Sequence, residues 1–264
     1  MALNRFWTFF LGTLFVSAGL FFTSLSGAQV LASVPQERQA LAQQGYTPWQ
    51  WQLSSCQNCE LFILPLRAEV RTEKVMAFVQ ALAAHKTEIR NLYTVSSAEY
   101  NFLAHMSMGI LGRESLFFES KRYYLKETFP DLIRAAKVIR SYFYDVPLSD
   151  NSRGPTQIKK VPERIARHYQ VTPENLYIPQ NAAVATMGFL IESLQELKNR
   201  IVSNRLDFIT PGNYIDYLPY LYFGSTRALL NGTATPESNI YVKNMKNYMS
   251  WFELYERAPA PLLH

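Results

Sequence analysis

The chain is poor in cysteine and histidine, which narrows the chemistry open to it. It contains 2 cysteines and 4 histidines among its 264 residues. His85, His105 and His168 show neither the HxxxH nor the HExxH spacing that sets two imidazoles on one helix face for a metal ion. We therefore expect neither a metal site nor a cofactor.

Runs of like charge, internal repeats and low-complexity segments are also missing. Only 18% of the residues are charged, and the 26 lysines and arginines are dispersed along the sequence. Because nucleic-acid-binding proteins usually gather basic residues in a patch, we expect no nucleic acid partner. The net charge of +5 favours an anionic polymer or a membrane surface without requiring either.

Residues 1–32 have the features of a secretory signal peptide. They contain one charge, Arg5, followed by an apolar run over residues 6–22 and small residues at Ala28 and Ala32, where cleavage is expected. A retained membrane anchor is the alternative, although the run is short for crossing a bilayer. Since no cysteine follows the run, we expect no lipid attachment. The pattern predicts an exported protein.

Cys56 and Cys59 form a CxxC pair in residues 33–70, a segment with little helical periodicity. In an exported protein the default for such a pair is a local disulfide. A redox motif would need a strand-helix-strand context, whereas the flanking residues indicate short extended segments; metal binding and free thiols also stay open at this point. We interpret residues 33–70 as an irregular N-terminal segment on a main domain formed by residues 71–264.

The main domain has the periodicity of helices and, with 48% hydrophobic residues in the chain, enough apolar material for one core. Ser96 and Glu99 form a capping box that starts an apolar, buried central helix ending at Glu114. Gly109 and Gly112 in this helix allow close approach by a neighbouring helix or a ligand. Further helices are predicted at residues 73–91, 130–143, 180–202, 214–230 and 236–255, with a short one interrupted at residue 162. The fold class is therefore mainly α.

Three short motifs follow one another in this domain. Glu114 and Ser115 end the central helix, residues 154–158 read Gly-Pro-Thr-Gln-Ile, and residues 222–225 read Tyr-Phe-Gly-Ser. This order resembles the soluble lytic transglycosylase family of the lysozyme-like superfamily, whose motifs are ES, GLMQI and AYNAG. The resemblance covers residues 95–255. Pro155 and Thr156 stand where the family has Leu and Met, and Phe223 where it has Asn.

The resemblance implies a lysozyme-like domain that cleaves the β-1,4 bond between N-acetylmuramic acid and N-acetylglucosamine in peptidoglycan, with a 1,6-anhydro product. Glu114 would be the single catalytic acid and base. The remaining site residues would bind the glycan: Ser115, Ser149, Ser152, Thr156, Gln157 and Tyr222. Tyr222 corresponds to a tyrosine whose hydroxyl lies close to the acid. The implied location is the bacterial periplasm or cell envelope, and we expect a monomer, with an envelope protein as a further partner.

Two rival functions stay open. The first is a lysozyme-type hydrolase, which needs a second group to position water, and Asp145, Asp150 and Glu119 are the candidates for that group. The second is a non-catalytic peptidoglycan-binding or assembly module of the same fold, because Phe223 cannot make the hydrogen bonds of an asparagine side chain.

Overall fold

The computed structural model describes residue 56, residues 58–144 and residues 152–258. This part of the chain is mainly helical, as predicted, and adds a small sheet. Its elements are β1 (Glu60–Pro65), α1 (Glu73–Ala84), α2 (Lys86–Tyr93), α3 (Ser97–Ser115), α4 (Lys121–Thr128), α5 (Pro130–Tyr144), α6 (Glu163–Tyr169), α7 (Pro179–Asn204), α8 (Tyr214–Tyr222), α9 (Thr226–Leu230), α10 (Ile240–Met249) and β2 (Phe252–Arg257). None of the helices described combines the length and the apolar character that a bilayer crossing requires.

Helix α3 is the central helix of the fold. The Ser96 hydroxyl accepts a hydrogen bond from the Glu99 backbone N–H at 3.1 Å, and the Glu99 carboxylate accepts one from the Ser96 N–H at 2.9 Å. This confirms the predicted capping box, which satisfies N–H groups that a helix start leaves open. Side chains on nearly every face of α3 are buried. The surrounding domain therefore holds the C-terminal end of the helix, where Glu114 lies.

Gly109 and Gly112 let helix α10 pack directly on the backbone of α3. A Cβ atom at position 109 would lie 2.5 Å from the Met245 carbonyl oxygen, and one at position 112 would lie 2.5 Å from Cγ of Tyr248. Both separations are shorter than van der Waals contact allows. We expected these glycines to allow close approach by either a neighbouring helix or a ligand. The structure shows the approach of a neighbouring helix, α10.

The first residues described are built into the helical domain. Strand β1 pairs antiparallel with β2, in a register that places Glu60 opposite Arg257 and Pro65 opposite Phe252. A disulfide between Cys56 and Cys59 lies directly before β1, as predicted. The extended segment expected after the cysteines is thus one strand of a two-stranded sheet.

Several predicted helix ends are wrong. The helix predicted for residues 236–255 ends at Met249, and the chain continues as β2, because its partner β1 lies far away in sequence and cannot be inferred from local periodicity. The predicted helix over residues 214–230 is broken at Gly224, whose φ of 85° is left-handed. The helix predicted for residues 73–91 is divided at His85. Helix α4 is an addition that the sequence pattern does not predict.

His105 makes the stability of the domain depend on pH. Its side chain lies in the core, where a neutral imidazole protonated on Nε2 donates to the carbonyl oxygens of Met249 (3.0 Å) and Phe252 (3.2 Å). Burial lowers the pKa of His105 from 6.5 to about 4. Between these values the unfolded chain binds a proton that the folded domain does not, so stability decreases as the pH falls from 6.5 to 4. The expected loss is up to about 3 kcal/mol.

Urea unfolding at stepwise lower pH measures this loss. The free energy of unfolding of the wild type is expected to fall through the stated window, and His105→Gln is expected to flatten the slope because the variant lacks the titrating group. An equal slope in both proteins would contradict this role of His105.

Candidate active site

Glu114 lies in the last turn of α3, half-buried and without a salt bridge to any residue of the described part of the chain. Its basic neighbour Arg113 does not neutralise it. The Arg113 guanidinium lies instead over the ring of Tyr241 in α10, with Cζ 5.2 Å from the ring centroid. Because no ion pair in the described part of the chain engages its carboxylate, Glu114 is a candidate functional group.

The backbone turns sharply directly after Glu114. Leu116, Phe117 and Phe118 have φ values of 49°, 56° and 72°, which are left-handed conformations that cost each non-glycine residue about 1–3 kcal/mol. Burial of both phenylalanine rings in the core compensates for this strain. Ser115 stabilises the turn, because its hydroxyl donates to the Leu111 carbonyl (2.9 Å) and accepts from the Phe118 N–H (3.1 Å). Ser115, expected to bind glycan, is fully buried in this role.

Tyr222, at the end of α8, lies within electrostatic reach of Glu114. Its ring is buried and its hydroxyl donates to the backbone carbonyl of Thr156. Burial, followed by the negative charge of Glu114, raises the pKa of Tyr222 well above its ordinary value. This influence places the Tyr222 hydroxyl and the Glu114 carboxylate within electrostatic reach of each other. The structure thus joins two of the residues singled out in the sequence, from motifs that are more than one hundred residues apart.

Tyr241 is a further site residue, and sequence reasoning missed it. Its hydroxyl oxygen is buried and faces Glu114, outside the geometry of a standard hydrogen bond. Burial, then the charge of Glu114, raises the pKa of Tyr241 well above its ordinary value. Its ring packs on Phe223, with the ring centroids 4.9 Å apart. Nothing in the sequence distinguishes Tyr241 from the other 15 tyrosines, because its role depends on the packing of α10 against α3.

Residues 153–158 form a tight turn. The Arg153 N–H donates to the Ile158 carbonyl at 2.9 Å, and both Gly154 and Gln157 adopt positive φ. The Gln157 amide is used within the turn: Nε2 donates to the Gly154 carbonyl at 2.7 Å, and Oε1 accepts from Ser152 at 3.1 Å and from Lys126 of α4. Ser152 and Gln157, both expected to contact glycan, bond to each other in this structure.

Thr156 and Glu127 fix the turn on its two sides. The Thr156 side chain is buried and hydrogen-bonded to Thr186 of α7 at 2.7 Å, while its carbonyl oxygen receives the Tyr222 hydroxyl. On the other side, the Glu127 carboxylate accepts from the Gly154 N–H at 3.0 Å, and burial raises the pKa of Glu127. Sequence reasoning missed Glu127 along with helix α4. A continuous set of hydrogen bonds therefore runs from α4 through the turn to Tyr222, whose hydroxyl lies within electrostatic reach of Glu114.

Four candidates named from the sequence are left. Ser149, Asp145 and Asp150 lie outside the described residues. Glu119 is exposed, beyond the strained turn that follows α3. Within residues 58–144 and 152–258, no cluster of three or more His, Cys, Asp or Glu side chains could hold a metal ion.

A surface cavity of about 490 Å³ lies elsewhere, lined by Leu92, Glu163, Arg164, Arg167 and His168. None of these residues contacts the group around Glu114. Arg167 pairs with Glu163, and His168 with the carboxylate of Glu88. The Arg164 guanidinium lies over the ring of Tyr93, with Cζ 5.3 Å from the ring centroid. The charged side chains of this cavity thus already have partners, whereas no salt bridge in the described part of the chain engages Glu114.

No protein-family model, curated protein or solved structure matches the chain. Its function must therefore be inferred from the side chains around Glu114 and from the order of the three motifs.

Proposed function

We propose that the protein is an exported peptidoglycan lytic transglycosylase that uses Glu114 as its single acid and base. The observation that carries the proposal is the half-buried Glu114 carboxylate, which has no salt bridge within the described residues and lies within electrostatic reach of the hydroxyl groups of Tyr222 and Tyr241. Glu114 lies at the end of a buried helix, which holds the carboxylate in a fixed position. A general acid needs such a position because it must protonate one particular oxygen.

The reaction takes two proton transfers through the same side chain. In the first, the Glu114 carboxylic acid protonates the glycosidic oxygen as its bond to C1 of N-acetylmuramic acid breaks, and the acetamido group of that sugar stabilises the resulting positive charge. In the second, the Glu114 carboxylate removes the proton of the 6-hydroxyl, whose oxygen bonds to C1. The products are the 1,6-anhydro sugar and the released strand, and Glu114 regains its proton.

The two tyrosines support these steps as neutral hydroxyl groups. Burial and the charge of Glu114 raise the pKa of both, so neither ionises near neutral pH. Tyr222 already donates its proton to the Thr156 carbonyl, which makes it a positioning residue that ties the turn at residues 153–158 to the acid. Tyr241 is better placed to donate to the carboxylate that forms after the first step.

Digestion of purified sacculi tests the proposal. The purified protein is incubated with sacculi, and the released fragments are analysed by mass spectrometry. Fragments ending in 1,6-anhydro-N-acetylmuramic acid are expected. Reducing ends would instead identify a hydrolase, and an absence of fragments from folded protein that binds sacculi would identify a non-catalytic module.

Tyr222→Phe is expected to lower the rate of fragment release by roughly 10- to 100-fold, with little change in sacculus binding. The change removes one hydrogen bond, which is worth about 1 kcal/mol. It also frees the turn, and small displacements of a catalytic arrangement can cost on the order of 100-fold. Release rates over a range of sacculus concentrations separate the effect on kcat from that on KM.

Tyr100→Phe is the matched control for this variant. Tyr100 is a buried tyrosine near the other end of α3, and its hydroxyl also donates to a backbone carbonyl, that of Leu82, at 2.7 Å. It should lose similar stability but keep the wild-type release rate. Equal losses of rate in the two variants would show that Tyr222 acts through stability alone.

A further inference from the structure

Helices α4 and α5, residues 121–144, form an arm that carries a concentration of exposed apolar side chains. Among the described residues, eleven large hydrophobic side chains are exposed, and six of them belong to this arm: Tyr124, Leu125, Phe129, Leu132, Val138 and Ile139. Their exposed fractions range from 47% to 67%. Single exposed hydrophobic residues are normal, but six in two consecutive helices indicate an interaction surface.

The α4–α5 arm also holds most of the net charge of the chain. Its sequence has six basic and two acidic residues, a net charge of +4, against +5 for the whole chain. Basic residues occur along the entire sequence, but elsewhere acidic residues nearly balance them. Lys121 and Arg122, at the start of α4, are exposed. An apolar surface with this charge complements a negatively charged partner.

One side of α4 attaches the arm to the body of the domain. Tyr123 is buried and packs edge-on against Phe118, with ring centroids 6.2 Å apart. Lys126 and Glu127 bond to the turn at residues 153–158. Helix α5 packs chiefly on α4, and its apolar side chains Leu132 and Ile139 remain exposed. The arm therefore presents α5 outward while α4 is fixed beside the candidate site.

We propose that the α4–α5 arm docks the protein on the surface of an anionic phospholipid bilayer. Phe129, Leu132 and Ile139 would enter the boundary between headgroups and acyl chains, while Lys121 and Arg122 bind lipid phosphates, the arrangement typical of interfacial helices. With 8 and 15 residues, α4 and α5 are shorter than the roughly 20 residues of a bilayer crossing, so the arm would lie along the surface.

A bilayer fits the arm better than a folded protein does. The exposed apolar residues of α5 include neighbours in sequence, such as Val138 and Ile139, as well as Leu132 one heptad before Ile139. They form a broad surface and not the narrow stripe with which a helix fills a protein groove. Tyr124 and Phe129 add aromatic rings, which are favoured at the interface between lipid and water.

Sedimentation with lipid vesicles tests this inference. One set of vesicles is phosphatidylcholine alone, and in the other part of it is replaced by phosphatidylglycerol. The wild type is expected to partition at least about tenfold more strongly onto the anionic vesicles, because each basic residue near the surface favours them. Residues 1–32, with Arg5 as their one charged side chain, are the same in the wild type and in every variant below, so differences in binding between these proteins come from the substituted residues.

Two variants separate the apolar from the basic contribution to vesicle binding, and a third variant is the control. Leu132→Glu/Ile139→Glu should lose about tenfold or more of the binding to anionic vesicles, because it places charges in the apolar surface. Lys121→Gln/Arg122→Gln should lose on the order of tenfold on anionic vesicles only. Val202→Glu places a charge at an apolar residue of α7 that is 81% exposed, and it should bind as the wild type does.

The vesicle experiments can overturn the proposed membrane docking in several ways. Wild-type binding by Leu132→Glu/Ile139→Glu, with circular dichroism showing it folded, would overturn the inference, as would equal binding of the wild type to both vesicles. Self-association of the wild type through the arm without vesicle binding would assign the surface to a second copy of the chain. Lipid-free digestion of sacculi by the arm variants is expected to match the wild type, so this inference and the proposed enzymatic function can fail separately.

Discussion

Replacing Glu114 with glutamine is expected to lower the release of anhydro fragments by roughly 10³-fold or more while sacculus binding stays at the wild-type level. Glutamine keeps the size and shape of the side chain but can neither give nor take a proton. General acid–base catalysis usually contributes about 10²- to 10⁴-fold, and here the same group serves both steps. Fragment release followed over time by mass spectrometry, and pelleting of protein with sacculi, measure the two quantities.

The neighbouring carboxylate of Glu119 provides the matched control. Glu119 is exposed and follows the strained turn after α3, so Glu119→Gln is expected to keep the wild-type rate. A loss in this variant comparable to that in Glu114→Gln would indicate a second catalytic carboxylate and hence hydrolysis. If the wild type and Glu114→Gln released anhydro fragments at equal rates, Glu114 would not be the catalytic acid and base.

The sequence predicts those parts of the structure that depend on neighbouring residues. Ser96 and Glu99 are three positions apart, so their reciprocal hydrogen bonds are local and the start of α3 could be read directly. The apolar spacing that follows identifies α3 as buried. The position of Glu114 at the end of this helix is thus available from the sequence alone.

Contacts between distant segments set the rest of the site. Tyr222 could be proposed only from the order of the motifs, whereas Tyr241 has no motif and is placed by the packing of α10 on Gly109 and Gly112. The sequence suggests Gln157 as a glycan ligand, but the positive φ of the turn directs its amide to Gly154, Ser152 and Lys126. Positive φ at a glutamine has no local sequence signal that would predict it.

Lys86→Met is expected to destabilise the domain by about 3–5 kcal/mol. The Lys86 side chain is 3% exposed, and its ammonium group bonds to the Glu256 carboxylate of β2 and, at 3.3 Å, to the carbonyl of Cys59. Ser97 at the start of α3 donates to the same carboxylate. Burial lowers the pKa of Lys86, and Glu256 opposes that shift. Lys86→Met therefore removes a hydrogen-bonding ammonium from a carboxylate that stays largely buried.

Two further variants distinguish the buried Lys86–Glu256 pair from a salt bridge on the protein surface. Lys86→Met/Glu256→Gln removes both charges. It should unfold at a higher urea concentration than Lys86→Met, because the single variant loses the ammonium but keeps the cost of burying the carboxylate. Arg167→Met breaks the pair with Glu163, whose side chains are 77% and 71% exposed, and should cost less than about 1 kcal/mol. If Lys86→Met were as mild as Arg167→Met, the buried pair would not hold β2, the disulfide loop and the start of α3 together. We expect the pair to hold these three elements together, because the Glu256 carboxylate of β2 bonds to Ser97 at the start of α3, and the Lys86 ammonium bonds to both Glu256 and the Cys59 carbonyl.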